Sequence, residues 1–261
     1  MKNIYVAFCC EYKKVSHSKM LWITIVLFTF IPMMMGLMIY VVRHPEISAK
    51  MGLIAAKASL FGNADWPAFF GILHQSVATI GLIGYGFVAA WIFGREHSER
   101  TMKDLIALPI SRSYIVTAKF LVAIVWCLFL SVILIAVGLM MGKWVGISGW
   151  SHEVFVHGMT KYFVTSFMTL LLITPVAFFA GYGRGIIVPI GFVIITLILS
   201  QFIAIAGFGA FFPWAIPGLN TVPEGTEGMQ LFPISYVILV LTCLAGYLGT
   251  LAWWRFADHH S

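Results

Sequence analysis

Hydrophobic residues dominate the chain in six long, uncharged stretches that polar segments separate. Each stretch has 22 to 24 residues and contains no Asp, Glu, Lys or Arg. A helix needs about 20 apolar residues to cross a hydrocarbon core about 30 Å thick. The pattern therefore predicts an all-α integral membrane protein with six transmembrane helices, at residues 21–42, 71–94, 120–142, 162–183, 185–206 and 232–254.

The composition points the same way. With 61% hydrophobic and 10% charged residues and a mean hydropathy of +0.95, the chain differs from soluble domains, in which about a quarter of the residues are charged. The four cysteines predict no disulfide framework, because two are adjacent near the N-terminus and two lie inside predicted spans. Composition thus excludes the soluble and the disulfide-rich secreted classes.

The basic residues predict the orientation. Lys and Arg near the ends of spans stay on the cytoplasmic side, and an even number of spans places both termini on one side. If that side is the cytoplasm, 11 of the 16 basic residues lie inside, while the ten acidic residues divide evenly. This asymmetry predicts an N-in, C-in topology. Topology and anionic lipid headgroups account for the positive charge without nucleic-acid binding.

Residues 1–20 form a charged segment before the six-span domain of residues 21–261. Its apolar positions Ile4, Ala7, Phe8 and Val15 recur at helical spacing, with Glu11 in the same stripe and lysines elsewhere. This pattern favours an amphipathic helix that lies in the membrane interface. A frayed polar tail is the alternative.

The connection between the second and third spans is charged but follows a helical pattern. Met102, Leu105, Ile106 and Leu108 form an apolar ridge that ends at Pro109, and charged residues occupy the other positions. The pattern predicts an amphipathic cytoplasmic helix whose exposed ridge requires a partner to cover it. The alternative is a solvated connector with an ordinary mixed-charge face.

Uncharged residues also continue well beyond the fifth span, through residue 223. Glycines and prolines interrupt regular helix there, and irregular backbone at membrane depth must be buried in protein or line a cavity. We expect a short re-entrant or interfacial helical pair. The alternative is an apolar loop that rests on headgroups through Phe211, Phe212 and Trp214.

Prolines and polar residues modify the predicted spans. Pro175 and Pro189 are expected to kink the fourth and fifth spans on either side of a tight turn at Arg184. His74, Gln75 and Thr79 lie in the second span. Such groups either hydrogen-bond between helices or line a path that water reaches.

Several kinds of chemistry lack their usual residues. The six spans carry no carboxylate, which disfavours proton or sodium coupling. No glycine-rich phosphate-binding loop and no protease or hydrolase motif is present, so the chain is not expected to hydrolyse ATP or peptides itself. His152, Glu153 and His157 form no persuasive metal site, and none is predicted.

The connection between spans two and three resembles the cytoplasmic loop of ATP-binding-cassette type-2 permeases. The matching features are Glu96 and Glu99, Thr101, Leu105 with Leu108-Pro109, Ser111-Arg112, and Lys119. Arg100 departs from the family pattern, which usually has glycine there. The N-terminal residues resemble the family's elbow helix, through Glu11, Tyr12-Lys13-Lys14, Ser18-Lys19 and Leu21-Trp22. The loop of residues 212–219 resembles one in the bacitracin-resistance and lantibiotic-immunity branch.

The resemblance implies the permease subunit of an exporter in a prokaryotic plasma membrane. Two cassette ATPase subunits would bind the ATP and magnesium, and a second permease, identical or homologous, would complete the complex with membrane lipid around it. This chain would bind no cofactor of its own. The ATPase-coupling residues would be Glu96, Glu99, Arg100, Thr101, Met102, Leu105, Leu108, Pro109 and Arg112. The substrate path would include His74, Gln75, Thr79, Phe212 and Trp214.

The implied cargo is an amphipathic molecule such as a peptide antibiotic or a lipid-linked compound. Two other functions remain open. An ion-coupled secondary transporter would work without an ATPase, and a membrane scaffold or sensor would bind a partner without transport.

Overall fold

The structure is a computed structural model that describes residues 2–44, 65–99, 101, 111–223 and 230–256. Within these ranges the chain is helical. The helices are α1 (Lys2–Ser16), α2 (Lys19–Arg43), α3 (Trp66–Ser98), α4 (Arg112–Val145), α5 (His152–Leu171), α6 (Ile173–Tyr182), α7 (Ile187–Ile205), α8 (Ile216–Leu219) and α9 (Pro233–Phe256), with a 3₁₀ turn at Gly209–Phe211.

Six helical segments of the described chain are long and apolar enough to cross a membrane. They are α2, α3, α4, the pair α5 and α6 taken together, α7 and α9. Each contains one of the six predicted stretches or most of it, so the all-α membrane fold with six spans is confirmed. The helices α3 and α4, of 33 and 34 residues, extend well beyond the apolar stretches that predicted them.

The helix α3 occupies the centre of the bundle. It packs against α4, α5, α6 and α7. In its most apolar stretch 78% of the residues are buried, against 22% in the corresponding stretches of α7 and α9. The outer helices therefore present apolar side chains outward over most of their surface, as helices in contact with lipid do.

Two glycines allow the neighbouring helices to approach α3 closely. A methyl group on Gly84 would overlap the ring of Phe28 in α2, and one on Gly86 would lie 2.6 Å from Val193 Cγ2 in α7. Small residues serve this purpose in membrane helices, where packing rather than water exclusion drives association. The glycines on α3 thus fix the positions of α2 and α7.

Side-chain caps define the beginnings of three spans. Asp65 accepts a hydrogen bond from Ala68 N (2.9 Å), Ser18 accepts one from Met20 N (2.9 Å) and Ser151 accepts one from Val154 N (3.1 Å). Each bond satisfies an N–H that has no partner within the helix. At the other end of α4, Gly146 adopts the left-handed conformation (φ 69°) that commonly ends a helix.

The two prolines predicted to kink spans behave differently. Pro175 follows a break at Leu172, where α5 ends and α6 begins, and the hydroxyl of Thr174 donates to Leu171 O (3.2 Å). The interruption expected in the fourth span is therefore present. The prediction of a kink at Pro189 was wrong. Pro189 lies in the first turn of α7, where a missing N–H breaks no helical hydrogen bond.

The segment after α7 folds back against the bundle. Gly207 adopts a positive φ of 81° and redirects the chain into the 3₁₀ turn and α8. Ile216 is fully buried against Leu82, Met168, Leu172 and Leu239. Two short helical elements therefore follow α7, and α8 packs inward upon α3 and α5.

Candidate functional site

The connection predicted to meet an ATPase runs from the end of α3 to the beginning of α4. Of the nine residues implied for this contact, the structure describes Glu96, Glu99, Thr101 and Arg112. Glu99 is exposed, and Thr101 N donates to Glu96 O at 3.0 Å. The others, Arg100, Met102, Leu105, Leu108 and Pro109, lie outside the described residues, so the amphipathic helix there stays a prediction.

Arg112 begins α4 and binds the end of the last helix. Its guanidinium donates to Trp254 O at 3.2 Å and lies 3.5 Å from Arg255 O. The last carbonyls of a helix lack partners within the helix and carry partial negative charge, so an arginine stabilises them. Arg112 therefore fixes the C-terminal end of α9 to the start of α4.

The N-terminal helix packs against α4 beside this connection. Ala7, Glu11 and Val15 recur every four residues and form the buried face of α1. Because residues four apart lie on one side of a helix, this face carries a carboxylate between two apolar side chains. The opposite face, which includes Tyr5 and Tyr12, is exposed.

Glu11 belongs to a buried charge cluster that joins α1, α3 and α4. One of its oxygens, Oε2, accepts from Arg95 Nη2 at 2.8 Å and from Lys119 Nζ at 3.1 Å. Glu96 Oε1 accepts from Lys119 Nζ at 2.5 Å and from Arg95 Nε at 3.2 Å. The two carboxylates and the two cations therefore alternate around one site, which we call the charge cluster.

Lys119 is the most enclosed member of the charge cluster. Its side chain is fully buried, and its ammonium group donates to Glu11, to Glu96 and to Ile92 O at 3.0 Å. An ammonium has three N–H donors, so all of them are used. A buried cation is tolerated only with such pairing, because its desolvation is costly.

The other cluster members are held almost as firmly. Arg95 is 5% exposed and stacks over the ring of Trp91, 4.7 Å from its centroid. At the rim, the half-exposed Lys14 donates to Glu11 Oε1 at 2.9 Å. Burial alone raises the pKa of Glu11, but the positive charges of Lys119, Lys14 and Arg95 outweigh it and lower that pKa to about 2. Glu11 is therefore a carboxylate at neutral pH.

The contacts of the charge cluster are structural links between helices. Its two cations and three of its four carboxylate oxygens bind within the chain, and Glu96 Oε2 is buried without a hydrogen-bond partner. None of the four residues lines a described cavity. It fastens three helices at the two ends of the 99–111 connection.

Sequence reasoning identified Glu96 and Lys119 only by resemblance and did not predict that they meet Glu11 and Arg95. The available signal was Glu11 itself, a charge in the middle of an apolar helix face.

The candidate path residues lie at the other end of α3. His74 is buried, and its Nε2 lies 2.8 Å from Gly158 O, which links α3 to α5. Gln75 accepts a hydrogen bond from the hydroxyl of Thr221 at 2.6 Å. Thr79 donates to Gln75 O at 2.7 Å within its own helix. His74 and Gln75 are therefore structural links between elements, the role expected of polar groups inside spans.

The same residues also line cavities. A cavity of about 430 Å³ is lined by His74, His157 and Lys161, and a neighbouring cavity of about 560 Å³ shares the latter two. A smaller cavity of about 150 Å³ is lined by Gln75, Thr79 and Trp214 among others. Phe212 instead packs on Trp214, with ring centroids 5.4 Å apart. Four of the five candidate residues thus border space where a molecule can lie.

Comparison with known proteins agrees with this architecture. Residues 7–201 match the family model described as ABC-2 family transporter protein. The chain is similar to the bacitracin transport permease protein BCRB of Bacillus licheniformis, with 25% identity over 185 residues that cover 70% of this chain and 88% of the relative. No solved structure matches the chain.

Proposed function

The chain belongs to the ABC-2 family of transporter proteins, and we propose that it is the membrane subunit of an exporter that a separate cassette ATPase drives. It is a multi-pass membrane permease, with six helical segments of spanning length. In the proposal, the termini and the 99–111 connection face the cytoplasm of a prokaryote, and two ATPase subunits bind there.

The observation that carries the proposal is the rigid framing of the 99–111 connection. On one side α3 ends in Arg95 and Glu96, and on the other α4 begins with Arg112 and continues to Lys119, with every one of these side chains paired inside the chain. Because both ends of the connection are fixed to the bundle, a displacement of the connection also moves the helices α3 and α4. Such framing suits a part that ATP-driven movement must displace.

Glu96 and Arg112 bind inside the chain, so in this proposal they support the contact surface instead of touching the ATPase. The direct contacts are Glu99, Thr101 and the ridge of Met102, Leu105 and Leu108. ATP binding closes the ATPases, and the connection moves with them. Because the two nucleotide states differ in these contacts, the bundle shifts between an inward and an outward arrangement.

We propose an amphipathic cargo. The relative in Bacillus licheniformis is a permease for bacitracin transport. The cavities near the Trp66 end of α3 combine apolar side chains such as Phe70 and Val164 with the basic pair His157 and Lys161. A molecule with an apolar body and a polar or charged group fits such a lining. Export requires that this end faces outward, as the predicted topology has it.

A second permease subunit completes the proposed complex. In the single bundle these cavities lie near the Trp66 end of α3, and the outward faces of α2, α7 and α9 are apolar and largely exposed. Two bundles placed side by side enclose a path between them. Whether the second subunit is identical or homologous, the complex holds two permeases and two ATPases.

The decisive experiment introduces acidic residues into the predicted contact ridge. The chain is coexpressed with a cassette ATPase from its own organism and purified through a tag on the permease. Leu105→Asp with Leu108→Asp is expected to leave the permease inserted in the membrane but to reduce the retained ATPase by about tenfold or more, because two charges enter an apolar interface. The matched control carries His152→Asp and Thr160→Asp, exposed positions on α5.

Retention of the ATPase by the control variant, with loss from the ridge variant, supports the proposal. Equal retention by both variants overturns the ridge as the contact. If no ATPase is retained even by the unaltered chain, and purified permease in liposomes moves bacitracin with an ion gradient alone, the ATP-driven mechanism itself is wrong.

A further inference from the structure

The charge cluster ties the N-terminal helix to both ends of the 99–111 connection. Glu11 Oε2 binds Arg95 of α3 and Lys119 of α4 at the same time, at 2.8 and 3.1 Å. These partners lie 84 and 108 residues away in the chain. Glu11 is the one carboxylate in the described part of α1, and it bonds α1 to both helices that frame the connection. Lys14, at the rim, adds only a long 3.9 Å pair with Glu96 of α3.

We propose that α1 is a moving part of the coupling unit, and that Glu11 is the positioning residue that makes it follow the connection when the ATPase changes state. The inference rests on the proposed function. It assigns to the N-terminal helix a role beyond anchorage at the membrane surface, because an anchor for the first span alone needs no buried bond to α3 and α4.

The burial of the cluster explains why α1 has to follow. Glu11, Arg95, Glu96 and Lys119 are each 5% exposed or less. Separating Glu11 from its partners leaves two buried cations with one carboxylate between them, and an unpaired buried charge is strongly unfavourable. Moving α1 together with the ends of α3 and α4 keeps every pair intact. The cluster therefore favours a joint movement over a separation.

The packing around the cluster supports the same conclusion. Ala7 and Val15 flank Glu11 one turn to each side and are buried with it against α4. In contrast, α1 makes few contacts with α2, the span that follows it directly. The helix is thus attached more closely to α4 than to its neighbour in sequence.

A native cysteine allows the movement to be measured. Cys10 is exposed on α1, and Cys127 is fully buried in α4. In a chain with Cys9→Ser and Cys243→Ser, a maleimide reagent therefore reports on Cys10. The rate of labelling is measured in the complex with the ATPase, without nucleotide and with a non-hydrolysable ATP analogue. We expect the two rates to differ by about fivefold or more, at the lower end of typical coupling between sites.

The test of Glu11 uses two variants of that chain. With Glu11→Gln the two rates should differ by less than about twofold, while the complex keeps its ATPase and still hydrolyses ATP, because the connection still binds the ATPase. The matched control is Lys14→Gln, which removes the half-exposed partner of the same carboxylate, together with the long 3.9 Å pair of Lys14 with Glu96, but leaves the bonds of Glu11 to α3 and α4. It should retain the full nucleotide-dependent difference. A helix with a purely structural role would show no such difference in any variant.

The outcomes separate the inference from the proposed function. If the ATPase binds but Cys10 is labelled at the same rate with and without the ATP analogue, in the chain that keeps Glu11 and Lys14, the coupling role of α1 is wrong. The exporter proposal then stands. The same holds if Glu11→Gln keeps the full difference. If the permease with Glu11 and Lys14 intact forms no complex with the ATPase, the proposed function is wrong, and the inference, which depends on it, is wrong as well.

Discussion

Glu11 illustrates how strongly a single side chain can depend on its surroundings. A carboxylate on a short surface helix would normally contribute little, because water screens its partners. Here it is 3% exposed and touches two buried cations. Its contribution to stability should therefore be large and should depend on pH.

We predict that Glu11→Gln destabilises the protein at neutral pH and destabilises it progressively less as the pH falls towards 2. Folding lowers the pKa of Glu11 from 4.5 to about 2, because the nearby cations outweigh burial. The stabilisation is complete above pH 4.5 and is lost as the pH falls towards 2. At pH 7 this corresponds to about 3 kcal/mol. Thermal unfolding in detergent, followed by tryptophan fluorescence between pH 7 and pH 3, measures the difference.

Lys14→Gln provides the comparison for this prediction. Lys14 is half-exposed, so its pair with Glu11 is screened and should be worth less than about 1 kcal/mol. A gap between the unaltered chain and Glu11→Gln that stays the same at pH 7 and pH 3 would contradict the stated role of the carboxylate charge.

At the scale of the helices, the break between α5 and α6 creates a contact with α9. The backbone at Thr174 and Pro175 approaches Gly246 so closely that any side chain there would collide with it, and the Thr174 hydroxyl also donates to Cys243 O at 2.8 Å. Thr174 and Pro175 lie in the first turn of α6, directly after the break at Leu172. The proline break is therefore part of the packing between the fourth and sixth spans.

We predict that Gly246→Ala lowers the stability of the bundle. The added methyl group meets backbone atoms of Thr174 and Pro175, which cannot rotate away, and overpacking of this kind costs about 1–3 kcal/mol. Gly191→Ala in α7 is the matched control, since a methyl group there has no heavy atom within 4 Å and alanine favours helix. The melting temperatures of the two variants in detergent should differ clearly, and equal values would contradict the close contact.

The spans were predictable from sequence, whereas the contacts between them were not. Composition alone locates the uncharged stretches, each at least 22 residues long, because charged side chains are unfavourable in the lipid core. It does not show where a helix ends once it leaves the membrane. Pro189 shows the consequence. Placed inside a span by composition, it lies in the first turn of α7, where it does not disturb the helix.

The charge cluster escaped prediction for a different reason. Arg95, Glu96 and Lys119 stand just outside uncharged stretches, where sequence reasoning treats charges as solvated. Their burial depends on a third helix from the far end of the chain, and no local pattern encodes a pairing across 84 or 108 residues. Only the position of Glu11 within an apolar stripe hinted at it.

At the scale of the whole molecule, the distribution of charge predicts the orientation of the protein in the membrane. The charge cluster is internally balanced, with Arg95 and Lys119 against Glu11 and Glu96. The remaining basic residues at that end, such as Lys13 and Lys19, therefore stay available to hold the end at the cytoplasmic surface.

We predict that both termini face the cytoplasm. A fluorescent protein that matures only in the cytoplasm, fused after Ser261 or before Met1, should be bright, and alkaline phosphatase at either place should be inactive. Insertion of the same reporters at Gly149, in the exposed connection between α4 and α5, should give the opposite result because α4 crosses the membrane once more. Active phosphatase at either terminus would reverse the assigned topology.

The long separation between Glu11 and Lys119 also determines when the fold can be completed. A ribosome that adds about 5 to 20 residues per second needs about 5 to 20 s to make the 108 residues between them. During that interval the first helix has left the ribosome with its carboxylate unmatched. The nascent chain must therefore keep α1 at the lipid surface or on the insertion machinery until the third span arrives, so assembly of the amino-terminal end is a late event in biogenesis.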